Sequence, residues 1–314
     1  MNILVTGGAG FLGSHLCERL LALGDNVCCF DDLSTGHMDN IAPLLANPRF
    51  DVQRGDIARF TSATRYEVIF NLASPASPKQ YQRAPVQVMR SNVLGALAVL
   101  DHAHATHARV IQASTSEVYG DPAVHPQPET YCGEVNCIGP RACYDESKRA
   151  AETLFADYRR QFGVDTRIAR IFNTYGPRMA QDDGRVVSNF IVQALRGEAL
   201  TIYGDGQQTR SFCYVDDLIE GLVALRRDGL DGTPINLGNP SEISVRDLGM
   251  LVFELTGKTP RWDSRPLPQD DPARRQPDIK KARQVLGWQP KVGLREGLEK
   301  TVAYFKARYF AANS

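Results

Sequence analysis

A tyrosine and a lysine four residues apart, Tyr144 and Lys148, have the residue types of an acid–base pair. On a helix this spacing brings both side chains to one face. The lysine charge would favour tyrosinate, so we expect a lowered phenol pKa and a usable general base. Thr115, just after a strand-like run, could hydrogen-bond the alcohol that such a base deprotonates. Ordinary amphipathic helices also carry this spacing, so the motif needs support from others.

A glycine-rich segment near the start of the chain predicts a dinucleotide site. Gly7-Gly8-Ala9-Gly10-Phe11-Leu12-Gly13 follows a strand-like run and opens a helical pattern. Glycines allow a tight turn and a close approach to a pyrophosphate, which the helix N-terminus then stabilises. Asp31, at the end of the next strand-like run, would accept hydrogen bonds from both ribose hydroxyls and repel a 2′-phosphate, which favours NAD over NADP.

The remaining cofactor contacts are expected beside these residues, with Asp56 and Ile57 flanking the adenine. The predicted cofactor-binding residues are Gly7, Gly10, Phe11, Leu12, Gly13, Asp31, Asp32, Asp56, Ile57, Leu72, Tyr144 and Lys148.

The elements that position these residues alternate between strand-like and helical patterns. Strands are predicted at residues 3–6, 26–30, 68–72, 109–113 and 167–171, and helices at 14–23, 86–106 and 145–162. This alternation predicts an α/β fold with a doubly wound, Rossmann-type parallel sheet. Loops are expected at 176–185 and 263–277, and Asp278 is predicted to cap a helix at 279–286 that Gly287 ends.

Two interleaved domains are expected. Residues 1–172 with about 209–237 would form the NAD-binding domain. Residues 173–208 with about 238–314 would form a smaller substrate domain that closes over the strand ends.

Composition excludes several classes of protein. The net charge is zero, so no basic field attracts nucleic acid. The chain has seven cysteines and no CxxC pair, which argues against a disulfide framework or a thiolate zinc site. The spacing of His102, His104 and His107 does not gather them on one helix face, so no metal is expected. No apolar run approaches the roughly 20 residues of a membrane helix. A strand from Asn2 leaves no room for a signal peptide, so a cytoplasmic location is expected.

Six longer blocks carry a family resemblance that spans almost the whole chain. The chain resembles the extended short-chain dehydrogenase/reductase family and, within it, the UDP-glucuronate decarboxylases, or UDP-xylose synthases. The blocks are residues 71–78 (NLASPASP), 114–122 (STSEVYGDP), 136–149 (NCIGPRACYDESKR), 170–178 (RIFNTYGPR), 184–190 (GRVVSNF) and 270–282 (DDPARRQPDIKKA). Cys132 and Cys137 depart from the Trp and Pro usual in that subgroup, near the expected site entrance.

The resemblance implies a redox cycle in which NAD is regenerated. Tyr144 would take the 4-hydroxyl proton of UDP-glucuronate while C4 gives hydride to NAD. The ketone then lies β to the carboxylate, so carbon dioxide leaves, and hydride return gives UDP-xylose. The catalytic residues implied are Thr115, Ser116, Glu117, Tyr144, Lys148 and Arg275.

Two other enzymes on the same scaffold remain as alternatives. Sugar-nucleotide 4,6-dehydratases have an acid where this chain has Ser116, and serine is a poor acid at neutral pH. The 4-epimerases generally lack the glutamate found here as Glu117, although that residue could also hydrogen-bond a neighbouring loop. A non-catalytic NAD-binding regulator would be expected to have lost Tyr144, Lys148 or Thr115, and all three are present.

Substrate contacts are expected from several loops. Arg275 would hold the carboxylate or the diphosphate through a bidentate fork, whereas its neighbour Arg274 is expected to be a solvated surface charge. Arg210 would bind the diphosphate, and Tyr203 would pack on uracil or belong to the core. The predicted substrate-binding residues are Pro75, Ser77, Tyr81, Asn173, Arg185, Tyr203, Gln208, Arg210 and Arg275. By family analogy, helices 86–106 and 145–162 would pair two chains into a homodimer.

Overall fold

The computed structural model describes residues 1–266 and 274–310. Its first part contains β1 (Asn2–Thr6), α1 (Phe11–Ala22), β2 (Asn26–Asp31), α2 (Met38–Ile41), β3 (Phe50–Arg54), β4 (Val68–Asn71), α3 (Pro78–Arg83), α4 (Pro85–Thr106), β5 (Arg109–Thr115), α5 (Ala142–Phe162) and β6 (Thr166–Ile171). The later elements are β7 (Thr174–Tyr175), α6 (Val186–Arg196), β8 (Leu200–Tyr203), β9 (Thr209–Ser211), β10 (Cys213–Tyr214), α7 (Val215–Ala224), β11 (Ile235–Leu237), β12 (Glu242–Ser244), α8 (Val245–Thr256), β13 (Trp262–Arg265), β14 (Arg274–Arg275) and α9 (Leu294–Phe305).

Short helical turns of other types complete the description. They are 3₁₀ turns at Ala42–Leu44, Ile57–Arg59 and Ser116–Tyr119, and π-type turns at Ala282–Leu286 and Lys306–Phe310.

A seven-stranded sheet forms the centre of the first part, in the order β11-β6-β5-β4-β1-β2-β3. Every neighbouring pair in it is parallel. The order reverses between β1 and β4, and ligands bind at such switch points beyond the carboxyl ends of the strands. The predicted doubly wound parallel sheet is confirmed.

Helices cover both faces of this sheet, so its strands are apolar on both sides. Ile3 and Val5 belong to one buried cluster with Leu16 of α1. Leu4, which points the other way, belongs to a second cluster with Phe155 of α5. The two-sided burial explains why β1 is a continuous apolar run rather than an alternating one.

The second part differs from the sequence prediction between residues 263 and 277. At the two ends of the predicted loop the chain forms strands: β13 pairs with β8 and β14 pairs with β9. Trp262 anchors β13 by packing edge-on against Phe253 of α8, with ring centroids 5.5 Å apart. This tertiary contact has no local sequence signal. Residues 270–273 of the predicted block 270–282 lie outside the described residues.

Other predictions for the second part hold. Residues 176–185 contain no helix or strand. The Asp278 carboxylate accepts a hydrogen bond from the Lys280 amide at 2.9 Å, and the helical turn that follows ends at Gly287, whose φ is 64°. The domain division remains a prediction. The sheets assign β9 to the second part, with β12 and β14, and β11 to the central sheet.

In the part of the chain that the structure describes, no helix has both the length and the apolar character to cross a membrane.

Candidate active site

A cavity of about 1080 Å³ lies beyond the carboxyl ends of the central strands. All the predicted site residues line this cavity except Asp56. The Asp56 carboxylate instead accepts a hydrogen bond from the Ala58 amide at 2.9 Å and caps the turn Ile57–Arg59. That Asp56 contacts the cofactor therefore stays a prediction, whereas its neighbour Ile57 does line the cavity.

The glycine turn, residues 7–13, brings the backbone to one wall of the cavity. Gly7 has a φ of 69°. A Cβ on Gly13 would lie 2.0 Å from the Gly7 carbonyl oxygen, so only glycine fits there. The amides of the first turn of α1 lack carbonyl partners within the helix and can bind an anion. The turn is thus built as a backbone cradle for a phosphate group.

Asp31 ends β2 and lies beside the glycine turn. Its carboxylate accepts hydrogen bonds from the Ala9 amide at 3.0 Å and the Leu33 amide at 2.8 Å. Burial raises the pKa of Asp31, and these two amides oppose that shift. A carboxylate has about four lone-pair sites, so it can still accept bonds from a ligand.

Tyr144 and Lys148 lie on α5 in the cavity wall. The Lys148 ammonium donates to the Ala113 carbonyl at 2.9 Å and lies 5.8 Å from the centroid of the Tyr144 ring. Burial lowers the pKa of Lys148 to about 8. Burial also raises the pKa of Tyr144, with a further contribution from the Glu117 carboxylate, whereas the hydrogen bond with Thr115 opposes the rise.

The expected lowering of the phenol pKa by Lys148 is therefore wrong for the cavity as it stands. The lysine charge is directed at a strand carbonyl, and the burial of the phenol outweighs it. The hydrogen bond between Thr115 and Tyr144 was not predicted from the sequence.

A group of charged side chains, called the Glu117 cluster, meets beside Tyr144. It comprises Glu117, Arg141, Asp145 and Arg275. Both Arg141 and Arg275 donate to the Glu117 carboxylate. Burial alone would raise the pKa of Glu117, but the two guanidinium charges outweigh it and hold that pKa low. Burial raises the pKa of Asp145 to about 7. Two permanent positive charges thus face one permanent negative charge.

Arg275 has capacity left for a ligand. It is 4% exposed, and its Nε is a buried donor without a partner among residues 1–266 and 274–310. Its contact with Glu117 was not predicted from the sequence. The role predicted for Arg275, holding a substrate anion, remains a prediction.

Arg185 makes a second ion pair in the cavity. Its guanidinium donates to both carboxylate oxygens of Asp183, at 2.8 and 2.5 Å. Its Cζ lies 5.6 Å from the centroid of the Phe11 ring in the glycine turn. Arg185 therefore joins the loop 176–185 to the first turn of α1.

Two buried hydroxyl groups in the cavity wall have no hydrogen-bond partner within the described residues, which indicates that they bind a ligand. Ser77 and Tyr81 are buried, line the cavity, and have hydroxyl oxygens with no hydrogen-bond partner within the described part of the chain. Buried polar groups normally have partners. The Tyr81 ring also stacks on Tyr144, with centroids 5.3 Å apart and planes 13° apart.

The remaining predicted substrate contacts also line the cavity. They are Pro75, Asn173, Tyr203, Gln208 and Arg210. Tyr203 is 39% exposed, which excludes the alternative that it belongs to the core.

Sequence reasoning missed Arg141 and Asp183. A signal for Arg141 was present, because it precedes Tyr144 by three residues and a helix brings such residues to one face. Asp183 stands two residues before Arg185, in a loop where spacing carries no such information. In the described residues, no group of three His, Cys, Asp or Glu side chains is placed to hold a metal ion.

Comparison with known proteins identifies the family. Residues 3–238 match the model of the NAD dependent epimerase/dehydratase family. The chain belongs to this family. UDP-glucuronic acid decarboxylase 1 of Arabidopsis thaliana is 51% identical over 308 residues, which cover 98% of this chain and 70% of that protein. UDP-glucuronic acid decarboxylase 1 of Xenopus tropicalis is 50% identical over 305 residues, covering 97% of this chain and 72% of that protein.

Solved structures of NAD dependent epimerases and dehydratases share the whole fold. A UDP-glucuronic acid 4-epimerase from Bacillus cereus, in complex with UDP-glucuronic acid and NAD, has a TM-score of 0.90 and 31% identity, over 98% of this chain and 100% of that one. A dTDP-glucose 4,6-dehydratase from Streptomyces venezuelae with NAD bound has a TM-score of 0.90 and 29% identity, over 98% of each chain.

The residues present fit the cofactor of the NAD dependent epimerase/dehydratase family. The glycine turn is the cradle that a Cβ at Gly13 would fill, and the Asp31 carboxylate lines the cavity beside it. NAD is the cofactor.

Proposed function

We propose that this chain is a UDP-glucuronate decarboxylase that forms UDP-xylose. The observation that carries the proposal is the Glu117 cluster, where the buried Arg275 guanidinium and the half-buried Arg141 guanidinium meet beside Tyr144. Such a site favours a sugar that carries a carboxylate at C6. The identity of about half of the residues with curated UDP-glucuronic acid decarboxylases, over nearly the whole chain, supports the same substrate.

The side chains divide the work around sugar C4. Bound NAD would supply reversible hydride transfer at C4. Tyr144 takes the C4-hydroxyl proton. Burial and the Glu117 carboxylate raise the pKa of its phenol, so a positive charge in the cavity must offset them for the transfer to occur. Thr115 donates a hydrogen bond to the C4 oxygen. Lys148 donates a hydrogen bond to the Ala113 carbonyl and so holds α5, which carries Tyr144, against the end of β5.

Loss of carbon dioxide follows from the ketone at C4. The ketone lies β to the carboxylate, so the C5–C6 bond breaks and its electron pair moves onto the C4 oxygen. The phenol of Tyr144, whose pKa is raised, keeps its proton and donates to that oxygen together with Thr115. Arg275 orients the carboxylate before it leaves. A proton from solvent then adds at C5 as the electron pair returns from the C4 oxygen and the ketone forms again. Return of the hydride to C4 and of the Tyr144 proton to the C4 oxygen completes UDP-xylose.

Dehydration is disfavoured by the residue at position 116. Ser116 lines the cavity and is 2% exposed, but a hydroxyl is not an acid that can expel a 6-hydroxyl at neutral pH. The absence of a positioned acid costs about 10²–10⁴-fold, which would hide dehydration beside decarboxylation.

Incubation of purified protein with UDP-glucuronate and NAD tests the proposal. We expect one carbon dioxide and one UDP-xylose for each UDP-glucuronate consumed, and no 4-keto-6-deoxy sugar from UDP-glucose or dTDP-glucose. A product with inverted C4 and an intact carboxylate, UDP-galacturonate, would identify a 4-epimerase instead. A 4-keto-6-deoxy product would identify a dehydratase.

We also propose that the enzyme is a cytoplasmic homodimer that pairs through α4 and α5. These helices pack on each other, and α4 exposes the apolar side chains of Val86, Met89 and Leu94. All seven cysteines are unpaired, as in a reducing compartment. Light scattering should give twice the chain mass of 34.7 kDa, and the mass of one chain would contradict the dimer.

A further inference from the structure

Arg275 lies in a strand of only two residues. In β14, Arg274 pairs with Thr209 and Arg275 pairs with Arg210 of β9. The Arg275 carbonyl accepts a hydrogen bond from the Ser211 hydroxyl at 3.1 Å. So short a strand holds its backbone weakly, and a misplacement of 1 Å in a site can cost about 10²-fold in rate. The residues that follow Arg275 must therefore be held from another side.

Gln127 holds the segment after Arg275 through three hydrogen bonds, two to Gln276 and one to Asp278. Its amide donates to the Gln276 carbonyl at 2.9 Å, and its side-chain Oε1 accepts from the Gln276 amide at 2.9 Å. Its carbonyl accepts from the Asp278 amide at 3.0 Å. The side-chain Nε2 donates to the Val124 carbonyl at 2.8 Å, so both ends of the amide group are fixed. Gln127 is fully buried and does not line the cavity.

These contacts close a ring that returns to Glu117. The Gln127 carbonyl also accepts from the Asn236 side-chain amide at 2.9 Å. Asn236 in turn accepts from the Tyr119 hydroxyl at 2.7 Å. Tyr119 lies in the same 3₁₀ turn as Glu117, and Glu117 accepts from Arg275. Glu117 and Arg275 are thus both connected through hydrogen bonds to the buried Gln127.

We propose that Gln127 is a positioning residue for the reaction. It fixes the backbone at Gln276 so that the Arg275 guanidinium meets Glu117 and the carboxylate of the sugar in one geometry. The inference rests on the proposed function, because the sugar carboxylate gives Arg275 its task.

The test is a double-mutant cycle with Gln127→Met and Arg275→Lys. Methionine keeps the length and burial of the side chain but removes its two hydrogen bonds. We expect Gln127→Met to lower kcat for UDP-xylose formation about 10- to 100-fold, with little change in KM for UDP-glucuronate. In the Arg275→Lys background the same change should add little further loss, because it acts through the same guanidinium.

A matched control separates positioning from general loss of stability. Thr301→Val in α9 also removes one buried hydrogen bond, from the Thr301 hydroxyl to the Gly297 carbonyl, far from the cavity. It should lower Tm but leave kcat unchanged. If Gln127→Met does not fold, Gln127→Asn, which keeps the amide on a shorter side chain, replaces it with the same expected results.

Two results would overturn the inference while wild-type protein forms UDP-xylose. One is an unchanged kcat in the folded Gln127 variant. The other is an equal fold-loss in both backgrounds, which indicates a structural effect unrelated to Arg275. A wild-type protein that forms no UDP-xylose would instead refute the proposed function.

Discussion

The glycine turn and the Glu117 cluster occupy the same cavity but are built in different ways. The glycine turn consists of seven consecutive residues, and its hydrogen bond to Asp31 is made by the backbone amide of Ala9. The Glu117 cluster joins side chains that are distant in sequence, since Glu117 and Arg275 stand 158 positions apart. Its contacts are ion pairs between buried or half-buried side chains.

This difference separates binding of the cofactor from chemistry on the sugar. Backbone groups cannot be exchanged by substitution, so the turn suits a ligand common to a whole family. Charged side chains can be replaced one at a time, so the cluster suits the step in which relatives differ. Substitutions in the Glu117 cluster should therefore change turnover and leave NAD binding intact. Substitutions beside the glycine turn should change NAD binding and leave turnover at saturating NAD intact.

Tyr144 lines the same cavity as the glycine turn and lies beside the Glu117 cluster, and its loss should have the largest effect. Tyr144→Phe removes the hydroxyl but keeps the ring that stacks on Tyr81. We expect kcat to fall about 10³-fold, with little change in the affinity for UDP-glucuronate. Steady-state kinetics and titration calorimetry measure the two quantities. Near-normal turnover would mean that another group is the base.

Arg275→Lys tests the cluster alone. Lysine keeps the charge but loses the planar fork, so decarboxylation should fall about 10²-fold while the affinity for NAD stays the same. Arg274→Lys is the matched control, because Arg274 is the exposed neighbour of a buried arginine, and it should behave as wild type. A loss of NAD affinity in the Arg275 variant would break the separation.

Asp31→Asn tests the cofactor side of the comparison, beside the glycine turn. The variant keeps the size of the side chain but removes the charge that repels a 2′-phosphate. The preference for NAD over NADP should narrow about tenfold, whereas kcat at saturating NAD should change little. Asp51→Asn, at an exposed position of β3 that does not line the cavity, should keep the preference. Calorimetric titration with both cofactors gives the ratio, and equal affinities in the wild-type protein would refute the role of Asp31.

The smallest effect is expected from the pH dependence of stability. Burial raises the pKa of Asp145 to about 7, above its unfolded value of 3.8. The folded state therefore binds this proton more tightly, and the stability that it contributes is complete below about pH 4 and lost as the pH rises through about 7. Asp145→Asn should raise Tm by about 2–4 °C at pH 8 and by less at pH 5.

Glu146→Gln, one position further along α5, is the control for that experiment. It removes a carboxylate from a half-buried position. We expect no comparable change in the slope of Tm against pH. A wild-type Tm that is flat between pH 5 and 8 would contradict the buried charge at Asp145.

The sequence alone was sufficient for the parts of the site that are local. A strand, a glycine turn and a helix follow one another without a gap, so the cradle for NAD and the position of Asp31 could be predicted. Tyr144 and Lys148 share one helix face for the same reason. The parallel sheet was predictable because its strands are short apolar runs separated by helical patterns.

Only the tertiary structure decided which charges meet and what that does to them. Arg275 pairs with Glu117 because β14 adds to β9, and neither strand pairing nor the packing of Trp262 has a local signal. Asp56 faces a backbone amide rather than the cavity. The pKa of Tyr144 rises although a lysine stands four residues away, because burial and long-range charges depend on the folded surroundings, which residue type and spacing do not contain.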